Sequence, residues 1–223
     1  MSGPDPEAVG AAGAPLDPGL RAEIRAALRQ AVRLGLIGTG DLDEHIDHAL
    51  AMGRAAVVAT GGVPPRLLDL GSGGGLPGVV LAARWPACET VLLDASARRG
   101  EVLAGALALL GTSRGRVVVG RAEALGHEPE LRETFPVVVA RAFGAPPVTA
   151  ECATGFVAVG GAVIVAEPAA AAPDRWSEDG LAALGLRLER RSTDPALVVL
   201  RKVDVAPRTM PRKVGRPAKR PLW

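Results

Sequence analysis

The chain has no tyrosine, only three phenylalanines and three tryptophans, and an aromatic content of 3%. That shortage makes a surface on which successive nucleic-acid bases stack on several rings hard to assemble, so any RNA contact would rely mainly on charge. Cysteine is scarce as well. Cys88 and Cys152 lie far apart and outside any metal-ligand spacing, which argues against a disulfide framework and a metal site and fits a reducing compartment. No apolar run reaches the roughly 18 residues that a membrane span requires. The N-terminus is rich in Gly, Pro and Ala and carries acids rather than a basic-then-apolar leader, so no secretory signal is expected and the expected location is cytoplasmic. Three histidines, His45, His48 and His127, form no cluster in the sequence and read as surface or helix residues rather than catalysts.

What is present is enough apolar material for one core: 223 residues, 48% hydrophobic and 22% charged. The net charge of +2 hides an asymmetry, because residues 206–223 hold six cations and no acid and the remainder is therefore net −4. Four segments follow from the pattern. Residues 1–16 lack a periodic apolar face and are expected to be disordered. Residues 17–62 read as an N-terminal helical cap. Its first helix is capped by Asp17, opens on Pro18 and stops at Gly35, with Leu20, Ile24, Leu28, Ala31 and Leu34 as its stripe. The second follows Asp41, with Glu44 completing a capping box, and ends near Ala59. Residues 63–205 alternate short apolar runs with helical segments, the pattern of a parallel sheet covered on both faces. Residues 206–223 form a basic, Pro-rich tail expected to be mobile or extended, with docking of its apolar end, Pro221, Leu222 and Trp223, onto the domain as the alternative.

Strands are predicted at 66–70, 90–93, 116–119, 137–140, 161–166, 185–191 and 196–203, and helices at 77–84, 96–110, 147–159 and 175–184. The last two strands are consecutive, which predicts an α/β, Rossmann-like sheet of seven mostly parallel strands ending in an antiparallel hairpin. Such a sheet is typical of class I S-adenosylmethionine-dependent methyltransferases rather than of dehydrogenases.

Residues 69–78 read Asp-Leu-Gly-Ser-Gly-Gly-Gly-Leu-Pro-Gly and join the first strand to a helix expected to open on Pro77. Glycines in such a turn let the backbone approach a ligand and take positive φ. Gly73-x-Gly75-x-x-Gly78 also fits a dinucleotide fingerprint, so the glycines alone leave the cofactor open. Asp69 favours S-adenosyl-L-methionine: a carboxylate repels a diphosphate and attracts an amino group and a sulfonium. Asp69, Gly71, Ser72, Gly73, Gly75 and Leu76 are the candidate contacts of this turn. Asp94, at the end of the second strand, is placed to accept both ribose hydroxyls and to be partly wet without ligand, with a helix cap as its alternative. Ala122 and Glu123 follow the third strand and could flank the adenine, Glu123 being otherwise a loop acid. Arg141 follows the fourth strand and should enter the crevice near cofactor carboxylate or substrate, as the candidate catalytic side chain, or else form a salt bridge.

The methyl acceptor is narrowed by what is missing. No Pro-Cys pair offers a nucleophile for carbon methylation, and Ala145-Pro146-Pro147-Val148 is a poor match to the motif used on exocyclic amines. An acceptor with a free lone pair, such as guanine nitrogen 7, needs no general base.

In these residues the chain resembles the bacterial ribosomal RNA small subunit methyltransferase G family, also called glucose-inhibited division protein B, over roughly residues 35–223. DLGSGGGLPG is the most specific element, followed in the family's order by LLDASARRGEVL, GRAEAL, VVVARAF and a tail, PRKVGRPAKRPL. The resemblance implies cofactor contacts at Gly71, Leu76, Ala122, Glu123 and Arg141. It also implies methylation of guanine nitrogen 7 in 16S ribosomal RNA, with the RNA or the small ribosomal subunit as partner. Arg208, Arg212, Lys213, Arg216, Lys219 and Arg220 are the candidate RNA contacts. Two positions depart from the family: its His-x-x-Asp-Ser element is reduced to the histidine of His48-Ala49-Leu50-Ala51-Met52, and Glu167-Pro168 stands where the family has Lys-Gly. The acid at 167 should weaken attraction for phosphate. A methyltransferase for a small molecule or a protein, and a cofactor-binding protein without catalysis, remain as alternative readings.

Overall fold

The structure, a computed structural model, describes residues 14–172 and 174–223; the disorder expected of residues 1–13 lies outside them. In chain order the elements are α1 (Pro18–Arg33), α2 (Leu42–Thr60), β1 (Arg66–Leu70), α3 (Gly78–Arg84), β2 (Glu89–Asp94), α4 (Ala97–Leu109), β3 (Gly115–Val119) and α5 (Ala122–Leu125). They continue with β4 (Phe135–Ala140), α6 (Pro146–Thr154), β5 (Val157–Ala166), α7 (Glu178–Ala182), β6 (Leu186–Thr193), β7 (Ala196–Lys202) and α8 (Arg216–Lys219).

The seven strands form one sheet in the order β3-β2-β1-β4-β5-β7-β6. β1 to β5 pair in parallel, and β7 runs antiparallel between β5 and β6, as the sequence leads one to expect. Both faces are apolar because side chains alternate along each strand. Leu68 and Leu70 of β1 and Val138 and Ala140 of β4 pack with α6 and α7 through Cys152, Phe156 and Leu181. Leu67, Val137 and Val139 pack on the opposite face with Met52, Val57 and Leu81 of α2 and α3. The two N-terminal helices therefore belong to the layer that covers one face of the sheet. Leu16, placed by the sequence in a disordered stretch, is 6% exposed and joins the core cluster of α1, α3 and α4.

Local signals act much as their chemistry requires. Asp17 accepts from the Leu20 N–H at 3.0 Å, and Gly61 ends α2 at φ 77. At Asp41 the expected capping box gives way to a simpler cap, in which the carboxylate accepts from Asp43 N–H at 3.0 Å rather than from Glu44. Pro77 is the N-cap of α3 rather than its first residue. β5 begins four residues before its expected start, at Val157, because its first residues pair with Phe135 before a register shift.

The tail differs most from expectation. It lies against the domain, with α8 as a single turn, and each attachment is specific. Arg212 Nη2 meets Glu151 Oε2 at 2.6 Å, and Glu151 is fully buried. The Pro211 carbonyl lies 2.7 Å from His127 Nε2, and Trp223 Nε1 donates to the Arg175 carbonyl at 2.9 Å. Arg132 adds hydrogen bonds to the carbonyls of Met210, Ala206 and Pro207. One cation of the tail, Arg212, is held by a carboxylate far away in sequence, and carbonyls of the tail are held by Arg132 and lie against His127. Among the described residues no helix is long and apolar enough to cross a membrane, and no group of three or more His, Cys, Asp or Glu could hold a metal ion.

Candidate cofactor cleft

β1 and β4 are neighbours from which the strand order runs outward in opposite directions, and the crevice at their C-terminal ends is the usual ligand position in such sheets. Two cavities of about 330 and 370 Å³ open there and share Gly71. The first lies among Gly73, Leu76, Arg99, Arg141 and the loop Leu36, Ile37 and Gly38. The second is lined by Ala95, Ala122, Glu123, Phe143, Cys152 and Ala218.

The glycine turn divides by role. A Cβ at Gly78 would strike the Leu92 side chain and stand 2.5 Å from Asp69 Oδ2, and one at Gly75 would stand 2.7 Å from Val79. These glycines, like Gly71 against Phe143 and Gly74 against Ile37, permit close packing. Gly73 alone among the glycines of residues 71–78 has open surroundings: at φ +54, its Cβ would meet only the Gly71 carbonyl, at 3.8 Å. It lines the first cavity, and a side chain placed there would enter open space beside it. Ser72 is buried with its hydroxyl donating to the Asp69 carbonyl at 3.1 Å, which braces the turn.

Asp69 is fully buried; its Oδ2 accepts the Gly78 N–H at 3.0 Å, and its Oδ1 has no partner. Burial pushes its carboxyl up to about 7, opposed by the Gly78 hydrogen bond and the charge of Arg141. Arg141 follows β4 directly, before Ala142 at φ 54, and its Nη1 is likewise buried without a partner. Burial lowers the pKa of the guanidinium while Asp69 raises it. Arg141 Nη2 lies 2.8 Å from His45 Nδ1, across 96 residues of sequence. His48, one turn along α2, is shifted down by burial first and then by the charge of Arg141.

Asp94 departs from expectation. It is 3% exposed rather than partly wet, with Oδ2 accepting from Gly73 N–H and Oδ1 from Ser96 N–H, each at 2.9 Å. It holds the glycine turn as well as the helix that follows. Replacing Asp94 by Ala is therefore expected to cost about 1–3 kcal/mol of apo stability for the stranded donors, in addition to ligand affinity; thermal unfolding with and without ligand separates the two effects.

Glu123 lines the second cavity, but its carboxylate is occupied. It meets Arg121 at 2.8 Å and accepts the Gly215 N–H at 2.9 Å. Burial opposes ionisation there, yet these bonds hold its pKa below the usual carboxylate range. Of the six tail cations, Arg212 is engaged with Glu151, while Arg208, Lys213, Arg216, Lys219 and Arg220 are exposed. Lys213, Arg216 and Lys219 line a groove beyond Glu123. Glu167 is paired with Arg175 at 3.1 Å and lines neither cavity, so the departure at that position adds no free anion to the cleft.

Sequence reasoning, which read His45 and His48 as surface or helix residues, missed the contact of His45 with Arg141, and it missed the loop at residues 36–38, Arg99 and Ala218. The histidines are three apart on one helix and so share a face, a signal that was within reach. Nothing local indicated that this face meets Arg141.

A family model described as rRNA small subunit methyltransferase G matches residues 24–176. The ribosomal RNA small subunit methyltransferase G of Rubrobacter xylanophilus is 34% identical over 85% of this chain and 78% of its own. That of Symbiobacterium thermophilum is 35% identical over 85% of this chain and 83% of its own. Among solved structures, the O-methyltransferase TomG from Streptomyces achromogenes, crystallised with S-adenosylmethionine, superposes with a TM-score of 0.55 at 18% identity. That likeness covers 85% of this chain and 92% of the other and concerns the fold.

Proposed function

Since the chain belongs to the rRNA small subunit methyltransferase G family, we propose that it is a cytoplasmic enzyme that methylates nitrogen 7 of a guanine in small-subunit ribosomal RNA with S-adenosylmethionine. One observation carries this reading at the level of chemistry: the half-buried guanidinium of Arg141 lines the cavity at Gly73, the fully buried carboxylate of Asp69 lies beneath the same turn, and each has a buried polar atom without a partner. An amino acid bearing both ammonium and carboxylate, such as the methionine end of this cofactor, complements such a pair. The residues present therefore fit the group. Asp69 and Arg141 would hold the methionine end, Asp94 the ribose, and Ala122, Phe143 and Ala218 the faces of the adenine.

When bound, S-adenosylmethionine supplies a methyl group on a positively charged sulfur. The protein's part is alignment and exclusion of water, since the lone pair of guanine nitrogen 7 needs no base to free it. The exposed Lys213, Arg216 and Lys219 of the tail groove offer countercharge to an RNA backbone.

The test is transfer of labelled methyl from S-adenosylmethionine to small ribosomal subunits, followed by borohydride and aniline cleavage, which cuts RNA at 7-methylguanine. Label in RNA with one cleavage site is expected; label in protein or small molecules alone would overturn the reading.

A pH dependence follows from Asp69. Its ionised form attracts the cationic ligand, so affinity is expected to fall as pH drops from 8 through about 7. On apo stability the sign is opposite. A carboxyl whose folded pKa lies above its unfolded value of 3.8 is protonated first in the native state, so its contribution rises as pH falls from about 7 toward 3.8. Calorimetric titration and apo melting over pH 6–8 check both directions, and Asp69→Asn should flatten both.

A further inference from the structure

We infer that His45 is a positioning residue for the cofactor site, fixing Arg141 and the loop at residues 36–38 as one wall of the cleft through a single ring tautomer. The inference rests on the reading that this cleft takes S-adenosylmethionine, and it stands on contacts that the reading does not use. Arginine can only donate, so the 2.8 Å contact from Arg141 Nη2 requires a bare lone pair on His45 Nδ1. The ring proton must then sit on Nε2, which lies 3.2 Å from the Gly38 carbonyl, a group that can only accept. Both contacts are satisfied by the same neutral tautomer and by no other form of the ring.

Geometry gives this bridge its consequence. Leu36, Ile37 and Gly38 line the same cavity as Arg141, and the loop sits directly on the glycine turn: a Cβ at Gly74 would stand 2.7 Å from Ile37 Cγ1 and 2.8 Å from the Leu36 carbonyl. Arg141 has few alternatives to His45 as an anchor, since its Nη1 is buried without a partner. A guanidinium on a long, rotamer-rich side chain that must meet a ligand carboxylate loses affinity when it is not held beforehand. His45 supplies that restraint from the first turn of α2, whose start is itself capped by Asp41.

Two substitutions separate the halves of the bridge. His45→Asn puts a carbonyl oxygen near the place of Nδ1 and leaves the Gly38 side empty; His45→Gln puts its amide near the place of Nε2 and leaves Arg141 without its acceptor. Affinity for S-adenosylhomocysteine, measured by calorimetry on the full chain, is expected to fall in the order unaltered, His45→Asn, His45→Gln, with the last reduced about tenfold or more. Nitrogen NMR of the free protein is expected to find His45 with Nδ1 unprotonated and Nε2 protonated. A protonated Nδ1 overturns the inference, as does His45→Gln binding as tightly as the unaltered protein, or a loss of melting temperature without loss of affinity. Failure of the unaltered protein to bind would instead remove the cofactor reading, while the tautomer and the Arg141 contact stay testable by NMR alone.

Discussion

Gly73→Ala is expected to leave a folded protein that has lost nearly all affinity for the cofactor, whereas Gly78→Ala five residues on should lose the fold's stability first. The new methyl at Gly73 meets only a carbonyl oxygen at 3.8 Å in the free protein, so the apo cost is the left-handed backbone at φ +54, about 1–2 kcal/mol. That methyl occupies space facing the cavity, and a ligand forced past it should bind about a hundredfold more weakly, the upper part of the roughly 1–3 kcal/mol that overpacking costs. At Gly78 the methyl runs into Leu92 and the Asp69 carboxylate. Overpacking of about 1–3 kcal/mol there should lower the melting temperature by roughly 2–12 °C in a chain of this size. Displacing the Gly78 N–H would also deprive a fully buried carboxylate of its backbone hydrogen bond. Melting curves with and without S-adenosylhomocysteine distinguish the variants. Equal apo melting temperatures, or ligand-induced stabilisation retained in Gly73→Ala, would show that the turn has been assigned the wrong way round.

The second large effect is expected at Arg212, read from the sequence as an RNA contact. Its guanidinium meets Glu151 at 2.6 Å, and Glu151 is fully buried. Arg212→Ala leaves that carboxylate without its counter-ion, a change that costs about 3–5 kcal/mol. The damage should spread to the adenosine end of the cleft. α8 depends on the same attachment, Gly215 N–H is held by Glu123, and Ala218 lines the cavity. Arg212→Ala and removal of residues 207–223 should both weaken cofactor binding, and Glu151→Gln should restore much of the stability lost in Arg212→Ala. The exposed cations should behave differently. Replacing Lys213, Arg216 and Lys219 together should spare cofactor affinity and flatten the salt dependence of RNA binding by roughly 0.7–0.9 in slope for each phosphate that is no longer neutralised. Salt titrations and calorimetry on the two sets of variants decide whether the tail is a wall of the cofactor site, a charged arm, or both. Unchanged cofactor affinity after truncation would remove the first role.

The strands and the glycine turn were legible because their causes are local. Alternating Leu and Val fill both faces of the sheet at period two, and the same residues form the two core faces observed. Asp17 and Asp41 cap the helices they precede, since a carboxylate next to free N–H groups needs only its immediate neighbours. Gly73, Ala122 and Arg141 all reach one crevice because each stands just past the end of a strand in a parallel sheet, a placement that topology alone guarantees.

What the sequence determined by itself was the order of elements, the sheet's pattern and the strand ends from which the cleft is built, because periodicity, caps and turns act over a few residues. Tertiary structure alone decided what each side chain does there. It buried Asp94 on two backbone donors, brought His45 to Arg141 across 96 residues, and committed Arg212 to Glu151. Charge composition marked residues 206–223 as a free arm, but whether a cation stays solvated depends on which carboxylate the fold sets beside it. An isolated buried acid is so costly that the fully enclosed Glu151 fixes its partner and, with it, the path of the whole tail.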